Sequence, residues 1–356
     1  MDDRSPDQTA GAAAAARGDS RASIRDVAAL AGVSIGTVSN TINRPERVRR
    51  HTREAVERAI AELGFVPNQL ARVLTGASSQ VIGLVVLDIE SPFFMEVAGA
   101  VERAANESGH VMILCDSGNS VEKQKQLLQM LAAQRVRGTL LTPASANVRI
   151  ARELPPSERP QIVFLDFKDS ANHCSVSVDH VSGARQAVTH LLSLGHERVA
   201  FVGGRHVLHQ FDQRSKGARQ AIVDAGLDPT RALIEETVEN IGIRDGMRAA
   251  ERLLASGVPT AIFCGNDMLA FGVYRALTAA GVRVPEDVAL VGYDDITFAA
   301  DWIVPLSSVR QPVAELGYRS AQLLFEHSSG DPDHVHQRVI LQPKLVVRAS
   351  SDPGTR

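Results

Sequence analysis

Cysteine, tryptophan and tyrosine are scarce: three, one and three in 356 residues. Cys115, Cys174 and Cys264 are odd in number and widely spaced, so they make no disulfide framework and no zinc-finger pattern. Buried thiols in a reducing compartment are the expectation. Long apolar runs are also missing, since the longest aliphatic or glycine stretch of strand character, Val81 to Leu87, falls far short of the roughly 20 residues a membrane helix needs. The start, Met-Asp-Asp with Arg4 ahead of an alanine run at Ala12 to Ala16, lacks the basic and apolar regions of a signal peptide. A cytoplasmic protein with no membrane partner is expected. There is no Walker A loop, no GxGxxG and no HExxH. No enzymatic activity, catalytic residue or cofactor is therefore expected.

What is present is ordinary in bulk and uneven in detail. Hydrophobic residues at 44% and charged residues at 22% match a globular chain, and the length allows two or three folded units. Residues 23 to 76 carry 8 basic against 5 acidic side chains, while residues 77 to 356 carry 27 against 32. A small basic head on an acidic body suggests a compact nucleic-acid contact rather than a uniformly basic binder.

Residues 1–22, rich in Ala, Asp, Gly and Ser, cannot bury a core and read as a disordered tail. Three short helical patterns follow: Ile24, Val27, Ala28 and Ala31; then Val38 and Ile42; then Val56, Ala59, Ile60 and Leu63. Ser23 and Ser34 are placed as N-caps, Gly32 separates the first two helices and Gly64 follows the third. From Val81 the pattern becomes apolar strand runs alternating with amphipathic segments: Val81–Leu87, Val111–Cys115, Thr139–Thr142, Ile162–Leu165, Val199–Val202, Ala261–Phe263 and Ala289–Val291. Repeated βα alternation over roughly 270 residues points to two α/β lobes with parallel sheets, and ligands in such folds sit at the carboxyl ends of strands.

The segment Ser23 to Asn43, SIRDVAALAGVSIGTVSNTIN, has the spacing of a helix-turn-helix, whose second helix offers its N-terminal residues to base edges. On that helix Ile35, Gly36, Thr37 and Asn40 lie towards the exposed side. Spacing alone leaves an ordinary helical hairpin as an equal alternative. Arg47, Arg49, Arg50, His51 and Arg53 crowd the start of the third helix, where they can neutralise phosphates without reading sequence.

The chain resembles the lactose/galactose repressor family of transcription regulators. The run DVAALAGVSIGTVSNTINRPERVRRHTREAVERAIAELGFVPNQLARVLTGASSQVIGLVV carries the resemblance, followed in order by DIESPFF, LGHERVAFVGG, CGNDMLAFGVYRAL, GVRVPEDVALVGYDD and LSSVRQP. It implies an N-terminal all-α helix-turn-helix domain (23–66), a hinge helix (67–76) and an α/β two-lobed, periplasmic-binding-protein-like effector domain (77–349) with parallel sheets. The chain would cross between the lobes near 180, 308 and 327, leaving 350–356 as a tail.

The resemblance also implies site residues. Ile35, Gly36, Thr37, Ser39, Asn40, Arg50 and His51 would contact DNA, as would Asn68, Ala71 and Leu74 of the hinge, with Leu74 wedged into the minor groove. Relatives usually carry a capping Ser or Thr near Arg49, so this chain departs from the pattern there. Asp88, Phe94, Asp166, Arg214, Asn266, Asp294 and Gln311 would line the inter-lobe cleft. Carboxylates, amides and a guanidinium suit the paired hydroxyls of a sugar, with an aromatic ring on its apolar face. Asp166, Asn266 and Asp294 could instead cap helices or tie loops, and Asp267 reads as a helix cap rather than a ligand contact. His334 and His336 read as part of a solvated loop, and no metal is expected. The expectation is thus a homodimeric, effector-responsive regulator on a double-stranded DNA operator. It would be a repressor of carbohydrate-utilisation genes, with a nucleobase sensor or a sugar-transport binding protein as alternatives. The ending SSDPGTR carries no leucine heptad, so a tetramer is not expected.

Overall fold

The computed structural model describes residues 22–65, 79–145, 161–167, 173–257, 259–328 and 334–352. The chain divides into two compact units, Met1–Ser79 and Gln80–Arg356.

In the first unit, α1 (Ile24–Ala31) opens with a capping box: Ser23 Oγ accepts from the Asp26 amide and the Asp26 carboxylate accepts from the Ser23 amide. Gly32, at φ +64°, ends the helix in the left-handed conformation that a side chain would strain. Ser34 then caps α2 (Ile35–Asn43), accepting from the Thr37 amide at 3.1 Å. α3 (Arg50–Leu63) begins at Arg49, which makes no side-chain capping hydrogen bond, and stops at Gly64. Val27, Ala28, Val38, Val56 and Ala59 form the buried core, with Ile24, Ala31, Ile42, Ile60 and Leu63 packed against it. So small a core depends on each member, and Val38 fixes the rotation of α2: with its side chain fully buried, the opposite face is turned to solvent.

The second unit holds two six-stranded sheets. Its elements run β1 (Val81–Val86), α4 (Pro92–Glu107), β2 (Val111–Asp116), α5 (Val121–Ala133), β3 (Thr139–Leu141), β4 (Ile162–Leu165), β5 (Ser175–Val178), α6 (His180–Ser193), β6 (Val199–Gly204) and α7 (His209–Asp224). They continue with α8 (Pro229–Ala232), β7 (Leu233–Val238), α9 (Ile243–Ser256), β8 (Ala261–Cys264), α10 (Asp267–Ala279), β9 (Ala289–Asp294), β10 (Ser307–Arg310), α11 (Val313–His327), β11 (Arg338–Leu341) and β12 (Lys344–Val346). Strand order is β11-β5-β4-β3-β1-β2 in one sheet and β12-β10-β9-β8-β6-β7 in the other. Among the described residues only the β10–β12 pairing is antiparallel.

Interior strands such as β4, IVFL, and β8, AIFC, are buried throughout, as strands covered by helices on both faces must be. Helices on one face of the second sheet come close enough to demand glycine: a Cβ at Gly272 in α10 would collide with the Ile243 carbonyl of α9.

The chain passes between the lobes at three places. Asp179 links β5 to α6, and Gln311–Pro312 link β10 to α11, which packs on α4, β4 and β5 of the first lobe. The third passage is at Gln342–Pro343, between β11 of one sheet and β12 of the other, not near 327. At 327 the chain only ends α11; it then adds β11 to the same lobe before leaving it. Among the described residues no helix is long and apolar enough to cross a membrane.

Candidate DNA-contact helix and effector cleft

On the first unit, Ile35, Gly36 and Asn40 are exposed on α2, and Thr37 and Ser39 are half-buried. The Thr37 hydroxyl lies 2.9 Å from Ser34 Oγ, so part of its hydrogen-bonding capacity is used locally. Arg50 and His51 are exposed on the first turn of α3; Arg50 pairs with Glu54 at 2.8 Å and His51 Nε2 meets Thr52 Oγ1 at 3.1 Å. A surface pair of this kind is worth little and is readily exchanged for a phosphate. The absent side-chain cap at Arg49 matches the departure noted in the sequence. Asn68, Ala71 and Leu74 lie outside the described residues.

Gly32 to Gly36 has the GxSxG spacing of a nucleophile elbow, a motif that the expectation of no enzymatic signature wrongly counted as absent. Here it joins two helices instead of a strand and a helix, and Ser34 is the cap of the second.

In the second unit a cavity with about 270 Å³ of empty space lies between the lobes. It is lined by Ser91, Phe93, Phe94, Asp166, Gln210, Phe211, Arg214, Ile241, Asn266 and Asp294. Phe93 and Phe94 meet edge to face at 5.2 Å.

Arg214, only 3% exposed, is the centre of the charge network. Its guanidinium donates to the Gly265 carbonyl, lies 3.5 Å from Asp294 Oδ1 and from His180 Nδ1, and covers the Tyr293 ring at 3.8 Å. Asp166 Oδ1 meets His180 Nε2 at 2.9 Å, and His180 Nδ1 meets the Tyr293 hydroxyl at 3.1 Å. Burial and the nearby Arg214 keep His180 neutral despite Asp166, so its Nε2–H donates to the carboxylate and Nδ1 accepts. For Asp166, burial is outweighed by His180 and Arg214, and the carboxyl is held below its usual value. Asp294 goes the other way: burial outweighs Arg214 and the hydrogen bond from Gln311, pushing it up to about 7. Gln311 Nε2 donates to Asp294 Oδ1 at 2.7 Å.

Asp166, at φ +53°, and Asp294, at φ +109°, both sit in backbone conformations unusual for side chains other than glycine. Asp166 Oδ2 and Arg214 Nε are buried without a hydrogen-bond partner among the described residues.

Six of the seven residues expected in the cleft thus come together, though Gln311 reaches it only through Asp294. Asp88 does not line the cavity; its Oδ1 accepts from the Glu90 amide at 2.8 Å and shapes the turn into α4. Asn266 both lines the cavity and caps α10, accepting from the Leu269 amide at 2.8 Å. The cap is therefore not Asp267, which is fully buried inside the first turn and accepts from the Ile296 amide at 2.9 Å and from Ser308 Oγ at 2.6 Å. Sequence reasoning missed His180, Tyr293, Phe93, Gln210, Phe211 and Ile241. Tyr293 had a signal, as the residue before Asp294 at the end of an apolar strand.

Residues 23–68 match the model of bacterial regulatory proteins of the lacI family, and residues 188–351 match the periplasmic binding protein-like domain. The chain is 33% identical to the HTH-type transcriptional regulator DegA of Bacillus subtilis (strain 168), covering 94% of this chain and 99% of that one. It is 33% identical to the HTH-type transcriptional repressor PurR of Haemophilus influenzae (strain PittEE), over 92% and 98%. Its fold resembles the Lac repressor dimer bound to operator and the anti-inducer ONPF (TM-score 0.82, 29% identity, 93% of this chain and 99% of that one). It also resembles the transcriptional regulator CelR–cellobiose complex (TM-score 0.69, 33% identity, 93% and 100%). A helix pair whose second member leaves one face open and a two-lobed cleft follow one another in the order and over the length of these relatives: the chain belongs to the lacI family of bacterial regulatory proteins, DNA-binding transcription regulators.

Proposed function

We propose that the protein is a repressor of carbohydrate-utilisation genes, binding a pseudo-palindromic operator as a homodimer and responding to a sugar. Its operator contacts would be Ile35, Gly36, Thr37, Ser39, Asn40, Arg50 and His51, with Asn68, Ala71 and Leu74 in the hinge. Its effector contacts would be Phe94, Asp166, Arg214, Asn266 and Asp294, with Gln311 and Asp88 supporting from outside the cavity. The observation that carries the sugar reading is the pairing of Asp166 Oδ2 and Arg214 Nε, one acceptor and one donor, buried and unspent in residues that line a cavity also walled by phenylalanines. A polyol presents hydroxyls that donate and accept on adjacent carbons and a C–H face that packs on a ring.

A nucleobase is the second reading, favoured by Phe93, Phe94 and Phe211, three rings around one cavity. A thermal-shift series with sugars and nucleobases separates the two, since a ligand at a hundredfold excess over Kd stabilises by about 2.7 kcal/mol. A sugar is expected to raise Tm. Arg214→Ala should abolish that shift and the effector's action on operator binding, while leaving affinity without effector broadly intact. A shift with nucleobases alone would replace the sugar, and a response retained by Arg214→Ala at unchanged ligand concentration would remove the cleft assignment.

A further inference from the structure

At the side of the first lobe away from the cleft, four metal-binding side chains converge from three separate parts of the chain: Cys174, His327, His334 and His336. One ligand atom from each lies within 4.8 Å of all the others. The Cys174 sulfur is 3.2 Å from His334 Nε2 and 3.8 Å from His336 Nδ1. The His327 and His334 rings stack at 4.6 Å, and the His336 ring stands across both at 76°. His334 is half-buried and His336 exposed, and both lie against the Cys174 sulfur instead of standing apart in a loop.

We propose that these four residues form a binding site for a tetrahedral divalent transition-metal ion of the zinc class. Thiolate with imidazoles is a donor set that zinc prefers, and four such ligands close a structural site. In a tetrahedron with Zn–S of about 2.3 Å and Zn–N of about 2.0 Å, neighbouring ligand atoms stand roughly 3.3 to 3.6 Å apart. With ligand atoms at most 4.8 Å apart, the cluster needs about 1.5 Å of contraction or less at its widest pair. Two observations point to a ligand beyond the clustering itself. His327 Nδ1 is buried with no hydrogen-bond partner among the described residues. The Gln337 amide donates to the Cys174 sulfur at 3.4 Å, the outer-shell support that a metal-bound thiolate receives. Three imidazoles packed around a fully buried thiol also lack a reason in hydrophobic packing alone.

The position has a consequence. Cys174 precedes β5, which runs to the passage at Asp179; His327 ends α11, which starts beside the passage at Gln311; His334 and His336 precede β11, which runs to the passage at Gln342. An ion here would clamp the far ends of all three elements that connect the lobes.

Cobalt(II) is the probe. Untagged full-length protein, stripped with chelator and titrated with Co²⁺, should take up one tight equivalent per chain. It should show the intense visible bands of tetrahedral cobalt with a thiolate-to-metal band in the near ultraviolet, all bleached by Zn²⁺. Cys174→Ser should lose the thiolate band, and His336→Ala, at an exposed position that leaves the fold intact, should weaken binding at least about tenfold. Zn²⁺ should raise the Tm of the wild type and not of His336→Ala. Octahedral cobalt only, or a tetrahedral spectrum and affinity unchanged in His336→Ala, would overturn the site.

Discussion

Asn40 occupies the exposed face of α2. An asparagine amide can pair with adenine N6 and N7, whereas an arginine would ask for guanine O6 and N7. Asn40→Ala is expected to relax preference at one base pair per half-site by about 1–3 kcal/mol, with the salt dependence nearly unchanged because no phosphate charge is lost. Selection from a randomised operator measures this, and identical preferences for wild type and variant would exclude base reading. Asp294 makes a prediction about pH. Its folded-state value of about 7 lies above the ordinary carboxylate value, so between roughly pH 4 and 7 the folded protein holds a proton that the unfolded chain has released. Stability from this group therefore falls as pH rises through that window, by at most about 1.4 kcal/mol per unit. Asp166, held below its usual value, acts oppositely: its contribution is present above about pH 4 and is lost as pH drops further. Asp294→Asn should thus gain on the wild type as pH rises from 4 to 7, read from urea midpoints; a constant difference across the series would show that Asp294 does not titrate there.

At the scale of elements, α3 starts without a capping side chain although α1 and α2 both have one. Arg49→Ser should supply it and raise the stability of the DNA-binding unit by about 1 kcal/mol, measured by thermal or urea unfolding of residues 23–66. No gain would mean that the Arg49 backbone, at φ −59° and ψ 143°, does not present a serine hydroxyl to the second or third amide. The elements most legible in the sequence were those whose pattern is itself the cause of folding. The three helices of the first unit announce themselves by period and caps, and the interior strands by unbroken apolar runs. β5 and β10 did not, because SVSV and SSVR read as polar segments; their serines are buried, and Ser307 Oγ, for one, donates to the Arg348 carbonyl at 2.9 Å. Such a bond joins residues 41 apart and leaves no local trace. The same reason hid His180 from the cleft and Cys174 from His334: each contact is made by topology, which spacing along the chain does not encode.

Across the whole molecule, charge and compactness separate the tasks. The segment that carries α2 is net basic, with 8 basic against 5 acidic side chains over residues 23–76, while the net acidic body, with 27 against 32, carries the cleft. Residues 77–356 alone are expected to bind effector and show no operator affinity, whereas the full chain's affinity should fall steeply with salt. A gel shift of the truncated body on operator DNA would refute that division. The last strands bear on the fate of damaged genes. β11 and β12 are only two residues apart, yet each forms the edge of a different sheet. A frameshift or nonsense mutation shortly before residue 338 would thus strip one strand from each lobe at once, exposing β5 and β10 as two raw edges open to pairing with other chains. Losing 19 of 356 residues should then send the protein to proteases or aggregates rather than leave a weakened regulator. In the cell such alleles would behave as complete losses, and neither lobe could be inherited, duplicated or exchanged as one continuous stretch of gene.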